Sequence, residues 1–112
     1  ILDKTSHPLH NSAGLIGGLV QAVTHLVDGE RGIFSASQIE PILTRKKGYN
    51  LPLPRVVSLE QTTNYGGGAI WPFQDLKEVC DLAHRHLAYT HLDGARLFNA
   101  TVETDIPLAQ YA

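Results

Sequence analysis

An aspartate, a glycine and an arginine stand close together in the run HLDGARLFNA, which covers residues 91–100. The residues just before Asp93 alternate small or apolar with polar side chains and are rich in strand formers, which predicts a strand over 88–92. Gly94 permits a tight turn, and good helix formers follow it. Because ligands of open α/β sheets bind beyond the carboxyl ends of the strands, Asp93 and Arg96 stand where chemistry is expected.

The residue types at this turn suit recognition of an anionic ligand. The guanidinium of Arg96 is a planar fork of donors that matches a carboxylate with two hydrogen bonds. The structural alternative is that Asp93 caps the following helix by accepting backbone N–H bonds and that Arg96 is a solvated surface residue.

The run resembles the threonine aldolases, which are pyridoxal-phosphate enzymes with the aspartate-aminotransferase type of fold. That family carries an H-x-D-G-A-R-hydrophobic-x-N-A run, and every fixed position of it is present here. The resemblance implies that Asp93 pairs with the pyridine nitrogen of pyridoxal phosphate and that Arg96 holds the substrate carboxylate. A pyridinium ring is an electron sink only while its nitrogen stays protonated, and a neighbouring carboxylate keeps it so.

Two further segments resemble the same family. His7 follows the first predicted strand, at the sheet edge of Asp93, and the family's histidine at this place stacks on the cofactor and is a candidate for proton transfer. The segment SLEQTTN at 58–64 resembles the family's S-L-E-N-T-x-N, with Gln61 in place of Asn. Many bacterial relatives have a histidine where Thr63 stands, and it touches the substrate hydroxyl. Thr63 can hydrogen-bond there, but it is no base at neutral pH.

The sequence departs from the family pattern at two places. The family often has a glutamate five residues after the stacking histidine, and Ser12 stands there instead, which leaves any acid–base task of that glutamate open. Enzymes of this kind also hold the cofactor through a lysine, which in the family follows a serine some tens of residues after the Asp-Gly-Ala-Arg turn. None of the lysines here has such a context, so we expect this chain alone not to complete catalysis: Lys4, Lys46, Lys47 and Lys77.

Other possible sites are weaker. The glycines at 66–68 lack the spacing of a phosphate-binding loop and predict a flexible turn. His84 and His86 point to different faces of a helix, and a compact set of four ligands is not found, so no metal site is expected. Cys80 falls in a helical apolar pattern, which favours core packing over catalysis, and a single cysteine fits a reducing compartment, the cytoplasm.

Composition excludes two classes of protein. The sequence has 112 residues, a net charge of −2, 43% hydrophobic and 18% charged residues, as expected for a soluble globular domain. Its charges are scattered without a basic stripe, so we expect no nucleic-acid partner. No apolar run approaches the ~18 residues of a membrane span.

Predicted strands alternate with predicted helices, which indicates an α/β fold with a mostly parallel sheet. The resemblance implies the large domain of the aspartate-aminotransferase type (fold type I of the pyridoxal-phosphate enzymes), here incomplete. We expect residues 1–112 to be the central part of that cofactor-binding domain, without a second domain, because no methionine is present and a helix begins near the end. Besides the strand at 88–92, the predicted elements are the end of a strand at 1–4, strands at 22–27 and 55–59, a loop at 5–8, and helices at 11–19, from Ser35, over 73–86 and from Gly94. Gln38, three residues after Ser35, predicts a capping box at the start of the second helix.

The resemblance implies a carbon–carbon lyase that cleaves threonine or allo-threonine to glycine and an aldehyde. Relatives form homotetramers or dimers, so we expect a homo-oligomer whose partner is a small amino-acid substrate. Two alternatives remain open. One is another enzyme of this fold, a β-eliminating lyase or an aminotransferase; the other is a non-catalytic remnant that acts as a binding module.

Overall fold

The computed structural model describes residues 1–46 and 48–111. Within this part the strands are β1 (Leu2–Asp3), β2 (Leu26–Val27), β3 (Val56–Glu60) and β4 (Tyr89–Asp93). The helices are α1 (His7–His10), α2 (Leu15–Gly18), α3 (Ala36–Leu43), α4 (Phe73–Arg85) and α5 (Leu97–Thr104), followed by a 3₁₀ turn at Leu108–Gln110.

The strands form two parallel pairs, β1 with β2 and β3 with β4. The longer pair is in register from Val56 opposite Tyr89 to Glu60 opposite Asp93. Ile1 joins the pairs, because its nitrogen donates to the Val56 carbonyl at 2.7 Å and its carbonyl accepts from the Ser58 N–H at 2.8 Å. The strands therefore lie in the order β2–β1–β3–β4. The predicted α/β fold with parallel strands and flanking helices is confirmed.

The core lies between α3, α4 and one face of the sheet. Leu76, Val79 and Leu82 recur at helical spacing on α4 and are buried. Ile39 of α3 is completely buried in the same cluster. The cluster also includes two strand residues and a T-shaped aromatic pair with ring centroids 5.0 Å apart: Val57, Leu59, Phe34 and Trp71.

The opposite face of the sheet is open in the described residues. Val56 and Tyr89 are 44% and 75% exposed there. They line a groove of about 1040 Å³, together with residues 20–25 and the loop before β3. None of the described helices is long and apolar enough to cross a membrane.

Cys80 lies on the half-buried side of α4 and packs against the core cluster. Burial raises the pKa of its thiol, against a smaller lowering by a hydrogen bond with Thr90. The thiolate fraction of Cys80 is therefore smaller than that of an exposed cysteine, which agrees with the predicted packing role.

Three segments between β1 and α3 differ from the sequence prediction. The helix predicted over 11–19 is wrong, because the chain forms only the single turns α1 and α2, separated by Gly14 in the left-handed conformation with φ 74°. Residues 5–8 were expected to be a loop, yet α1 begins at His7, since Pro8 suits a first helical turn. The strand predicted over 22–27 is confined to Leu26–Val27, opposite a β1 of only two residues.

The later elements agree with the prediction to within one residue, except for α5. Residues 94–96 form a turn, in which the Leu97 N–H donates to the Gly94 carbonyl at 2.9 Å, and the helix begins only at Leu97. The predicted capping box of α3 is present, with the Ser35 N–H donating to Gln38 Oε1 at 2.8 Å. Pro41 does not end this helix, which continues to Leu43.

Candidate active site

The segments that carry the predicted site all follow carboxyl ends of parallel strands. His7 comes four residues after β1, the segment at 61–64 follows β3, and Arg96 comes three residues after β4. Because parallel strands end at one edge of a sheet, residues far apart in sequence meet there. Glu60 and Asp93 are the last residues of β3 and β4 and are register partners.

Glu60 links two of the segments that meet at this edge of the sheet. Its side chain is 5% exposed, and its Oε2 accepts the His7 N–H at 3.0 Å while its Oε1 accepts the Asn64 N–H at 2.8 Å. A buried carboxylate is stable only when its oxygens are paired or hydrogen-bonded. Glu60 therefore fixes the start of α1 and the turn after β3 relative to each other.

Arg96 approaches Glu60 from the turn after β4. Its Nη1 lies 3.8 Å from Glu60 Oε1, which is an ion pair too long for a hydrogen bond. The Arg96 side chain is 35% exposed. The buried carboxylate therefore attracts the guanidinium to this edge while leaving its N–H donors able to bind a ligand carboxylate.

Asp93 is anchored at the turn that follows its own strand. Its Oδ1 accepts the Ala95 N–H at 3.2 Å, and its carbonyl accepts the Gln61 N–H at 3.0 Å. The contact with the Ala95 N–H is of the kind expected if Asp93 only caps the start of the following helix. Its Oδ2 accepts no hydrogen bond from residues 1–46 and 48–111, which leaves it able to hold a proton donor such as a pyridinium nitrogen.

His7 is the first residue of α1 and is half-buried. Its Nδ1 lies 3.2 Å from Asn11 Nδ2 and 3.5 Å from Asn64 Nδ2. The structure thus brings the His7 N–H to Oε2 and the Arg96 guanidinium near Oε1 of Glu60, with Asp93 beside Glu60 in register. Within the described part of the chain, no hydrogen bond links Asp93 directly to His7 or Arg96.

Thr63 lies away from this group. It is 2% exposed, and its hydroxyl donates to the Arg31 carbonyl at 2.9 Å. Its backbone N–H donates to the Ala69 carbonyl at 3.0 Å. This geometry gives Thr63 a structural task and does not favour the predicted contact with a substrate hydroxyl, which would require the loop to rearrange.

Three residues of this region were not singled out by the sequence. Arg31 Nε donates to the Gly66 carbonyl at 2.8 Å and so connects the glycine turn to the turn before α3. Asp3 is 3% exposed and accepts the N–H groups of Thr5 and Gly29 at 2.7 and 2.8 Å. Asn11 contacts His7 across one helical turn, a contact that was not predicted because His7 was expected in a loop before the helix that began at Asn11.

Metal ligation receives no support from the described residues. No group of three or more histidine, cysteine, aspartate or glutamate side chains there could hold an ion. His84 is exposed on α4 and its Nε2 lies 3.2 Å from the Thr90 hydroxyl. Lys4 and Lys77 form ion pairs with Asp28 and Asp81, away from Glu60, and Lys47 lies outside the described residues.

Comparison with known proteins identifies the family to which the chain belongs. The sequence profile described as beta-eliminating lyase matches residues 1–112. The chain therefore belongs to the beta-eliminating lyase family, whose enzymes depend on pyridoxal phosphate.

Three relatives illustrate this membership. The chain is 28% identical over 112 residues to a probable low-specificity L-threonine aldolase of Schizosaccharomyces pombe, matching 99% of this chain and 29% of that protein. It is 30% identical over 112 residues to the alanine racemase TOXG of Cochliobolus carbonum, matching 99% of this chain and 28% of that protein. It superimposes on threonine aldolase of Leishmania major with a TM-score of 0.86 at 23% identity, covering 98% of this chain and 32% of that structure.

These comparisons establish the fold and the family. The superposition confirms the expected fold type I of the pyridoxal-phosphate enzymes. The chain spans less than a third of the length of the three relatives, matching 29%, 28% and 32% of them.

Proposed function

We propose that the full-length protein is a pyridoxal-phosphate-dependent aldolase that cleaves threonine or allo-threonine to glycine and acetaldehyde. The observation that carries the proposal is the meeting of His7, Asp93 and Arg96 around Glu60 at the carboxyl edge of the sheet. The similarity to threonine aldolases supports it. The protein would act as a cytoplasmic homo-oligomer, a dimer or tetramer.

The residues present fit pyridoxal phosphate. Asp93 has a carboxylate oxygen that accepts no hydrogen bond from the described residues, Arg96 has donors that Glu60 does not occupy, and His7 offers a half-buried flat ring. When bound, pyridoxal phosphate supplies the electron sink for the pair released from the bond that breaks. The covalent lysine would come from outside this chain, because no lysine here has the family's sequence context and the side chains of Lys4 and Lys77 pair with Asp28 and Asp81.

Each residue has a distinct task in this proposal. Asp93 holds a proton at the pyridine nitrogen, which keeps the ring electron-withdrawing. Arg96 binds the substrate carboxylate with two hydrogen bonds and so fixes the orientation of the amino acid. His7 would pack on the cofactor ring and orient it, and its imidazole is the candidate for proton transfer during the reaction.

The test is a pyridoxal-phosphate titration of the full-length protein followed by a threonine-cleavage assay that measures acetaldehyde. Binding with aldehyde release is the expected result, and Arg96→Lys should raise KM for threonine because it replaces a bidentate fork with a single point charge. Arg85→Lys, on the exposed end of α4, is the matched control. Cofactor binding without threonine cleavage would contradict the aldolase assignment.

Amino-acid racemisation is the second candidate function, and the similarity to alanine racemase TOXG over 99% of the chain favours it. A racemase breaks the Cα–H bond of its substrate, whereas an aldolase breaks Cα–Cβ. Incubation with L-alanine, with the two enantiomers separated on a chiral column, distinguishes them. D-alanine without acetaldehyde from threonine would favour the racemase.

A further inference from the structure

We propose that Asn11 and Asn64 are positioning residues that fix the tautomer of His7, with Nδ1 as a hydrogen-bond acceptor and the proton on Nε2. The catalytic meaning of this inference rests on the proposed function. The tautomer itself, however, is a property of this chain that can be measured without cofactor or substrate.

The geometry around Nδ1 carries the inference. The amide nitrogens of Asn11 and Asn64 lie 3.2 and 3.5 Å from His7 Nδ1. An amide –NH₂ group only donates hydrogen bonds, so a proton on Nδ1 would face two donors. In a neutral imidazole one nitrogen carries the proton and the other accepts, which assigns the proton of His7 to Nε2.

The two asparagines are held in place independently of His7's ring. Glu60 accepts the N–H groups of both His7 and Asn64, at 3.0 and 2.8 Å, so one buried carboxylate sets the distance between their backbones. The Asn11 N–H donates to the His7 carbonyl at 2.9 Å, which closes the turn of α1. The Tyr65 hydroxyl lies 3.3 Å from Asn11 Nδ2 and 3.4 Å from Asn11 Oδ1. Because Nδ2 carries two hydrogens, one of them remains available to the imidazole.

This arrangement limits what the neutral imidazole of His7 can do. Its Nδ1 is taken up by the protein, and its Nε2 presents an N–H. In its neutral form His7 therefore donates a hydrogen bond from Nε2 and cannot accept one there. In functional histidines, the hydrogen bond made by one ring nitrogen commonly determines the protonation of the other.

The experiment uses full-length protein labelled with ring-¹⁵N histidine, free of pyridoxal phosphate and amino acids, at a pH where its histidines are neutral. Two-bond ¹H–¹⁵N correlation spectra report which nitrogen carries the proton, and the signal lost in His7→Gln identifies His7. We expect a larger Nε2–H fraction for His7 than for free histidine under the same conditions.

Asn11→Asp and Asn64→Asp supply the critical comparison. A carboxylate of the same shape accepts a hydrogen bond where the amide donated one, so each variant should shift His7 toward the Nδ1–H tautomer. Asn50→Asp makes the same change in an exposed loop and should leave His7 unchanged. His10 is an internal reference, because its Nε2 lies 2.6 Å from the Lys4 carbonyl and keeps its proton in every variant.

A wild-type ratio equal to that of free histidine would overturn the inference, as would Asp variants with intact His10 signals and an unshifted His7. The wild-type spectrum needs no substitution, so a variant that fails to fold does not protect the proposal. The expected tautomer in a protein that leaves threonine intact would contradict only the proposed function. A wrong tautomer in an active aldolase would contradict only this inference.

Discussion

The two oxygens of Glu60 each accept one backbone N–H, from His7 and from Asn64, in surroundings that leave only 5% of the residue exposed. A glutamine has the same shape but only one acceptor oxygen, so Glu60→Gln sets an amide donor against one of these N–H groups. We expect the variant to lose about 1–3 kcal/mol in the free energy of unfolding, the cost of one buried unsatisfied donor. Urea unfolding of the full-length protein measures this loss.

The control for that substitution is Glu103→Gln, at an exposed position of α5. Surface substitutions of this kind usually change stability by less than about 0.5 kcal/mol. Equal effects of the two variants would mean that the contacts of Glu60 add nothing to stability.

Cys80 gives a second prediction for a single residue. Because burial raises the pKa of its thiol, little thiolate is present at neutral pH, and the thiolate is the form that reacts. We expect Cys80 to react with iodoacetamide more slowly than free cysteine at pH 8, and the rate to rise as the pH is increased. Labelling followed by mass spectrometry measures the rate. Fast labelling in the absence of denaturant would contradict the half-buried position.

The position of a site residue was predictable from the sequence where it depends only on neighbouring residues in the chain. Asp93 and Arg96 stand in one uninterrupted run, and their placement at a strand end needs only that run. The hydrogen bond of Glu60 to His7 spans 53 positions, and that of Arg31 to Gly66 spans 35. No pattern in the sequence predicts such pairs, because they form only when the strands have assembled.

At the scale of elements, α4 contributes the largest buried helical face. Leu82 is 4% exposed in the core, so Leu82→Ala removes buried methyl groups and leaves a cavity. We expect a loss of about 2–5 kcal/mol in the free energy of unfolding of the full-length protein. Leu87→Ala, at a position that is 80% exposed just after the helix, is the matched control. A similar loss in both variants would contradict the packing of α4 on the sheet.

Elements with a strong pattern were predicted well, and weakly patterned ones were not. The periodic apolar face of α4 and the β-branched run of β3 fix those elements locally. Residues 11–25 carry glycines and exposed apolar side chains, with Leu19 and Val23 75% and 76% exposed. The sequence of this segment fits helix and strand patterns equally. Because it lacks tertiary partners, it forms only short helical turns and no strand before Leu26.

At the scale of the whole molecule, the sheet is open in the described residues along one face and at the β4 edge. Open strand edges and exposed apolar side chains promote association between chains. We expect the isolated 112-residue chain to self-associate and the full-length protein to form one discrete oligomer. Light scattering after size-exclusion chromatography distinguishes these states. A monodisperse monomer of the isolated chain would contradict the expectation.

The fold class was predictable because the alternation of strands and helices survives in any large part of such a domain. The division of the protein into domains stays a prediction. The order β2–β1–β3–β4 was not predictable, since it depends on which strand backbones meet, and Ile1 decides this with two hydrogen bonds.

The three glycines after the site differ in what they permit. A Cβ on Gly66 would lie 2.0 Å from the Arg31 carbonyl oxygen, whereas Gly67 and Gly68 have space around them and only a left-handed backbone, with φ 71° and 73°. Asparagine and aspartate tolerate that conformation, but no side chain fits at Gly66. Random variation of this triplet under selection for folded protein would therefore retain glycine at the first codon and drift at the other two.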